Sequence, residues 1–200
     1  MALIIGLTGG IASGKSTVSQ MLEQRGFTIV DADLAARKVV EPGASAYKQV
    51  VSQFGEGIIQ NDGTLNREKL GTIVFNDEEK RKKLNAIVHP AVREKMKEWQ
   101  EAAIQNGKKT IILDIPLLFE SNLLHMVDKT IVVYVDEETQ LQRLMERNSF
   151  REDEARARIA SQLPLRQKKE MADAVIDNNG SLSETERQVE DLIKKWKMVP

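Results

Sequence analysis

The residues of this chain best suited to chemistry lie in one short stretch, Gly9-Gly10-Ile11-Ala12-Ser13-Gly14-Lys15-Ser16. The spacing is G-x-x-x-x-G-K-[ST], with an apolar strand-like run before it and an amphipathic helical pattern after it. Glycines at both ends let the backbone wrap closely and turn its N–H groups inward, an anion nest at the positive end of a helix. Gly10, Ile11, Ala12, Ser13 and Gly14 supply that backbone. Lys15 adds a full charge near β- and γ-phosphates, the Ser16 hydroxyl can ligate Mg²⁺, and Thr17 follows into the first helical turn. The alternative is a glycine-rich strand-to-helix turn with a surface lysine. The combined context favours a loop that holds a nucleoside triphosphate.

Carboxylates follow at strand ends. In "FTIVDADLAAR", residues 27–37, Asp31 and Asp33 stand at the carboxyl end of a short strand, where ligands of open α/β sheets lie. Either could accept the proton of a hydroxyl nucleophile, or merely cap the helix that begins there. Asp33, beyond the strand proper, is slightly favoured as the functional one. The strand in "IILDIPLLFE" ends at Asp114, an arrangement that contacts Mg²⁺ directly or through water. Pro116 ends that strand, and Glu120 is expected on a short helix at the same edge, as a surface acid or a site residue. Arg143 and Arg147 are four apart and share a helical face, with Arg151 one turn on. Such arginines are either solvated and paired with Glu137, Glu138 or Glu146, or stabilise a transferring phosphoryl group. His89 precedes Pro90, which is expected to start a helix, and His125 reads as surface; neither has a metal-ligand partner at useful spacing.

Positioning these groups requires a sheet. Apolar, β-branched runs recur at 3–7, 28–31, 110–114, 130–135 and 174–177, most of them apolar throughout, as strands buried on both faces of a parallel sheet are. Helical patterns intervene at 16–24, at 137–147 with Leu141, Leu144 and Met145 on its stripe, and at 183–197, capped by Ser183 with Glu186 three residues on. The alternation argues α/β with a five-stranded, mostly parallel sheet flanked by helices. Residues 34–109 are too many for one crossover and read as a helical insertion, with the turn "NDGT" at 61–64 and a long polar helix through Trp99. Residues 137–162, arginine-rich, read as a second, mobile cap.

The 200 residues carry a formal net charge of −1, so no basic excess points to nucleic acid, and phosphate recognition must be local. Cysteine is absent, which excludes disulfides, thiolate catalysis and cysteine metal sites. The N-terminus lacks a signal-peptide pattern and no apolar run approaches the roughly 18 residues of a membrane helix. A cytoplasmic enzyme or nucleotide-binding protein is the expectation.

With these residues assembled, the chain resembles bacterial dephospho-CoA kinase. The resemblance rests on "TGGIASGKST" at 8–17, "DADLAAR" at 31–37, "HP" at 89–90 with Arg93, "IPLLFE" at 115–120, "QLQRLMER" at 140–147, "RIASQ" at 158–162 and "ADAVIDNNGS" at 172–181. It runs nearly end to end, and "DAD", "HP" and "LLFE" together are far more specific than the loop. The resemblance implies a P-loop NTPase fold as one kinase unit, with a core of about 1–33, 110–136 and 163–200, a helical CoA-binding insertion of about 34–109 and a lid of about 137–162. It implies transfer of the γ-phosphate of ATP, with Mg²⁺, to the 3′-hydroxyl of dephospho-CoA; a monomer or weak homo-oligomer is the separate expectation for the chain's association. Carried over, Asp33 is the base or orienting group at that hydroxyl, with Lys15, Arg143 and Arg147 in the catalytic set. Thr8, His89, Arg93 and Glu120 line the acceptor side, Ser16 and Asp114 serve the metal, and Asn178 in "VIDNNG" lies where related kinases hold adenine. Ala12 stands where glycine is expected, and Asn148 follows Arg147 where aspartate is common.

A regulatory nucleotide switch or assembly ATPase of the same fold is the competing reading. The long insertion and arginine-rich cap suit enclosure of a small acceptor instead, and no NKxD-type guanine-selective stretch occurs.

Overall fold

The computed structural model describes residues 2–75 and 77–200. It divides into two compact units, 1–30 with 102–200, and 31–101.

The first unit is built on five strands, β1 (Leu3–Gly9), β2 (Thr28–Asp31), β3 (Thr110–Asp114), β4 (Lys129–Tyr134) and β5 (Ala174–Asp177), in the order β2-β3-β1-β4-β5. β1 pairs in parallel with β3 and β4, and β4 with β5. The register sets Leu7 level with Asp114 and Gly9 level with Val133, so Asp114 ends its strand close to the start of the loop. Strand side chains alternate between faces, and both faces are covered. Ile131 and Val133 join Ile5, Leu7, Ile112 and Ile176 against Val18, Met21 and Leu22 of α1 (Lys15–Gln24) and Val189 and Leu192 of α9 (Leu182–Trp196). Val132, between them, faces the other way and packs with Val135 and with Leu165 of α8 (Leu165–Met171). That two-sided burial is why the strand sequences read apolar throughout. Met198, just beyond α9, is seated in the main core, and the Val199 amide donates to Thr110 Oγ1 at 3.1 Å. Lys129 lies 4.7 Å over the Trp196 ring.

The arginine-rich segment forms α6 (Glu137–Asn148) and α7 (Glu152–Ala160). Asp136 caps α6, its carboxylate accepting the Thr139 amide at 2.8 Å. Ser149, at φ 54°, takes the left-handed conformation and ends that helix. Arg151 is therefore not a further turn of the Arg143–Arg147 face, as the spacing suggests; it precedes α7 and pairs with Asp153 at 2.7 Å.

The second unit contains α2 (Ala32–Lys38), α3 (Ser45–Phe54), α4 (Arg67–Phe75) and most of α5 (Glu78–Gln105). Its own core is Val50, Ile58, Leu65 and Leu70, with Leu84, Ile87 and Val88 packed against it. The expected turn is present. Asp62 accepts from Thr64 Oγ1 at 2.6 Å and Thr64 N at 3.0 Å, Gly63 sits at φ 84°, and Ile59 and Leu65 form an antiparallel bridge across it. Pro90 does not start a helix; it lies inside the 28-residue α5. A proline costs the helix one backbone bond there, and the apolar positions on either side, Leu84, Ile87 and Val88 before it and the buried Met96 after it, sustain one continuous element. Lys95 lies 5.7 Å over the Trp99 ring on the same helix.

Two further expectations are corrected. α9 is capped by Ser181, not Ser183: Ser181 and Glu184 form the reciprocal capping box, while Glu186 pairs with Arg25 at 2.6 Å. Glu120 stands on a turn between β3 and β4 rather than on a helix, the chain bonding Asn122 N to Phe119 O at 3.1 Å and Leu123 N to Leu118 O at 3.0 Å.

Candidate active site

The loop between β1 and α1 is held in shape by its own atoms. Ser13 N donates to Gly10 O at 3.1 Å, and Gly10 N donates to Ser13 Oγ at 3.2 Å. A Cβ on Gly9 would stand 2.5 Å from Ser13 Oγ, so the first glycine is required by this closure. Gly14 has φ 86°, and a Cβ there would fall 2.0 Å from Asn178 Nδ2. Ala12 also takes the left-handed conformation, at φ 58°, which is the backbone reason for expecting glycine at that position. Among the described residues no protein acceptor takes the amides of Gly14, Lys15 and Ser16, which open the helix at its positive end.

Lys15 forms an ion pair with Asp114, the buried last residue of β3. Ala12, Gly14, Ser16 and Thr17 line an open cleft of about 520 Å³ together with Arg143, Glu146, Arg147 and Asn178. That volume lies within the range of small-molecule sites. The arginine pair therefore faces the loop, with Arg143 half-buried and Arg147 exposed, Arg147 donating to Asn148 Oδ1 at 2.8 Å.

Asn178 is buried, donating through Nδ2 to Ser13 O at 2.9 Å and accepting from Thr185 Oγ1 at 2.8 Å. Both ends of its amide thus brace the loop while the residue borders the cleft. The Thr8 hydroxyl is fully buried and donates to Pro116 O at 2.9 Å. Glu120 Oε1 accepts from Leu163 N at 3.0 Å and pairs with Lys168 Nζ at 2.7 Å.

Asp33, His89 and Arg93 belong to the second unit. The Asp31 carboxylate caps α2, accepting the amides of Asp33 at 2.7 Å and Leu34 at 3.0 Å, whereas the Asp33 side chain is exposed. His89 and Arg93, four apart on α5, are exposed and do not line the unit's cleft of about 460 Å³ that carries Arg37 and Arg67, nor its smaller, more apolar one at Ala36, Val50 and Leu84. Among the described residues no three or more His, Asp or Glu gather as a metal cage.

The structure adds three loop contacts that residue types alone do not reveal. Gln140 Nε2 donates to Ile11 O at 2.9 Å, Gln162 Oε1 accepts Ile11 N at 2.8 Å, and Lys168 Nζ donates to Gly9 O at 2.8 Å. The one signal for Gln140 is its place four residues before the buried Leu144, on the face read as Leu141, Leu144 and Met145. Lys168 follows the buried Leu165 by three residues, in a run of charges that marks none of them out.

The comparisons with known proteins agree with one another. The family model described as dephospho-CoA kinase matches residues 3–184. The chain is 62% identical over 196 residues to the dephospho-CoA kinase of Geobacillus kaustophilus, covering 98% of each chain. To that of Halalkalibacterium halodurans it is 57% identical over 198 residues, covering 99% of this chain and 98% of that one. The solved dephospho-CoA kinase from Campylobacter jejuni superimposes with a TM-score of 0.75 at 30% identity, covering 98% of both. No helix among the described residues is long and apolar enough to cross a membrane.

Proposed function

This chain belongs to the dephospho-CoA kinase family, and from that membership we propose that it transfers the γ-phosphoryl group of ATP to the 3′-hydroxyl of dephospho-CoA. The products are coenzyme A and ADP, and the step is the last of coenzyme A synthesis. The chain is a kinase. The observation that carries the mechanistic reading is the convergence of the loop, Arg143 and Arg147 on one cleft within one unit.

The open amides of Gly14, Lys15 and Ser16 and the Lys15 ammonium bind the β- and γ-phosphoryl oxygens. Asn178, beside Gly14, borders the nucleotide. Ser16 and Asp114 offer a hydroxyl and a carboxylate, the hard oxygen donors that suit Mg²⁺ when phosphates complete its shell. When bound, the ion supplies charge neutralisation at the phosphoryl oxygens. Asp33, whose carboxylate does not cap its own helix, aims the 3′-hydroxyl and takes its proton. The new bond joins the 3′-oxygen to the γ-phosphorus, the bond from that phosphorus to the bridging oxygen breaks, and ADP leaves. Arg143 and Arg147 stabilise the charge on the transferring group and help exclude water. Thr8, His89, Arg93 and Glu120 belong to the acceptor side by resemblance. The enzyme works in the cytoplasm as a monomer or weak homo-oligomer, without nucleic acid or membrane partners.

The test is ADP release with MgATP against dephospho-CoA, AMP, adenosine, gluconate and no acceptor. Turnover with dephospho-CoA alone, giving a 3′-phosphate by phosphorus NMR, is the expected result. Equal rates with and without every acceptor would make the protein an ATPase and sink the proposal.

A further inference from the structure

Lys168 is fully buried, which is costly for an ammonium unless its charge and all three donors are met. Here they are. Nζ donates to Gly9 O at 2.8 Å and to Pro116 O at 3.4 Å, and pairs with Glu120 Oε1 at 2.7 Å. The three acceptors come from two stretches of the chain. Gly9 is the first residue of the phosphate loop, while Pro116, two residues after Asp114, and Glu120 share the turn that follows β3. The Pro116 carbonyl also receives the Thr8 hydroxyl, so the exits of β1 and β3 are fastened at one point. Glu120 Oε1 holds Leu163 N as well, and the neighbouring Gln162 accepts Ile11 N, so the end of the α6–α7 segment is tied to the same joint.

We infer that Lys168 is a positioning residue for phosphoryl transfer: its ammonium joins the loop that carries Lys15 and Ser16 to the strand end that carries Asp114. It touches no reacting atom. It sets where the phosphate-binding amides stand relative to Asp114, and, through Glu120, ties the segment that carries Arg143 and Arg147 to that spacing. A buried ion pair is weak grounds for stability, because a well-packed apolar substitute often does as well. An apolar side chain of the same volume fills the site but orients neither carbonyl. The inference rests on the proposed kinase reading only for its turnover arm.

The experiment uses the full chain and three variants: Lys168→Met, which keeps the volume and removes the ammonium, Glu120→Gln, and the double K168M/E120Q. Affinity for MgATP is measured by titration calorimetry, kcat and KM with dephospho-CoA by ADP release, and Tm by scanning calorimetry. Lys168→Met is expected to weaken MgATP about tenfold and to lower kcat by about 10- to 100-fold, with KM for dephospho-CoA changed less than about threefold. In the double variant the unpaired charge is gone, so Tm should return toward the parent while MgATP affinity stays weak. Should Lys168→Met fail to fold, the double variant carries the same comparison against Glu120→Gln. MgATP affinity and kcat within about twofold of the parent in a folded Lys168→Met, or affinity restored in step with Tm in the double variant, would overturn the inference. A parent that binds MgATP but does not phosphorylate dephospho-CoA would defeat the proposed reaction and leave the calorimetric test of Lys168 intact.

Discussion

Asp31 and Asp33 sit two residues apart and hold different positions. The Asp31 carboxylate accepts two amides of the first turn of α2, and Asp33 lies exposed within that turn. Asp31→Ala should cost about 1 kcal/mol, read as a lower urea midpoint, with turnover changed only a few-fold. Asp33→Asn should leave the midpoint nearly unmoved and lower kcat by about 10²–10⁴-fold, the usual worth of a general base. Wild-type turnover in Asp33→Asn would leave that residue no catalytic role. At the loop, Gly14→Ala forces an L-residue into a left-handed backbone, a cost of about 1–2 kcal/mol, and drives its methyl onto the Asn178 amide. Loss of measurable MgATP binding is the expected result by titration calorimetry. The loop was legible in the sequence because a tight anion nest dictates residue types at fixed spacing. Lys168 was not, since Lys168 and Lys169 are alike in type and only the packing of α8 buries the first and exposes the second. Gln140 and Gln162 escaped for the same reason: an amide that braces a loop 129 or 151 residues away leaves no local pattern.

Helix ends show where local reading succeeds and where it slips. Two Ser-x-x-Glu patterns overlap at 181–186, and the one that the helical pattern points to, at Ser183, is not the one that caps α9. Tertiary structure decides, because Glu186 with Glu190 surrounds the Arg25 guanidinium and holds it still more firmly protonated than an ordinary arginine. Ser181→Ala should therefore cost about 1 kcal/mol, visible as a lower urea midpoint, while Ser183→Ala should change stability by less than about 0.5 kcal/mol. Several element ends also depend on ionised carboxylates. Hydrogen bonds from the Ser181 backbone and hydroxyl keep Glu184 below the usual carboxylate range, and those from Thr139 do the same for Asp136. In each, the folded pKa lies below the unfolded one. Their contribution is thus complete above about pH 4–5, where both states are ionised, and is lost as pH falls through the folded value. Tm should hold from neutral to mildly acid pH and drop below about pH 4. Glu184→Gln should flatten that drop, and an unchanged acid limb in this variant would remove Glu184 from the explanation. Pro90 marks the opposite limit: a residue that ordinarily signals a boundary lies within one helix whose apolar positions are packed before it, at Leu84, Ile87 and Val88, and buried after it, at Met96.

For the molecule as a whole, the parallel sheet could be read in advance because strands buried on two faces must be apolar at every position. The order β2-β3-β1-β4-β5 could not, since a uniformly apolar strand carries no mark of its neighbours. Nor do the limits of the second unit coincide with a change in composition; they fall at the last residue of β2 and inside α5. The chain's final residues belong to the main core, and removing 197–200 deletes the buried Met198 and the Val199 bond to Thr110. A loss of about 3 kcal/mol, roughly 6–12 °C in Tm, is the expected consequence, and a truncated protein melting with the parent would show the tail to be dispensable. The two tryptophans fall one to each unit, Trp99 under Lys95 and Trp196 under Lys129. The protein thereby carries a separate native fluorophore in each half. Replacing one indole by phenylalanine leaves emission that reports a single unit, so the melting of the sheet and that of the helical insertion can be followed independently without any attached dye.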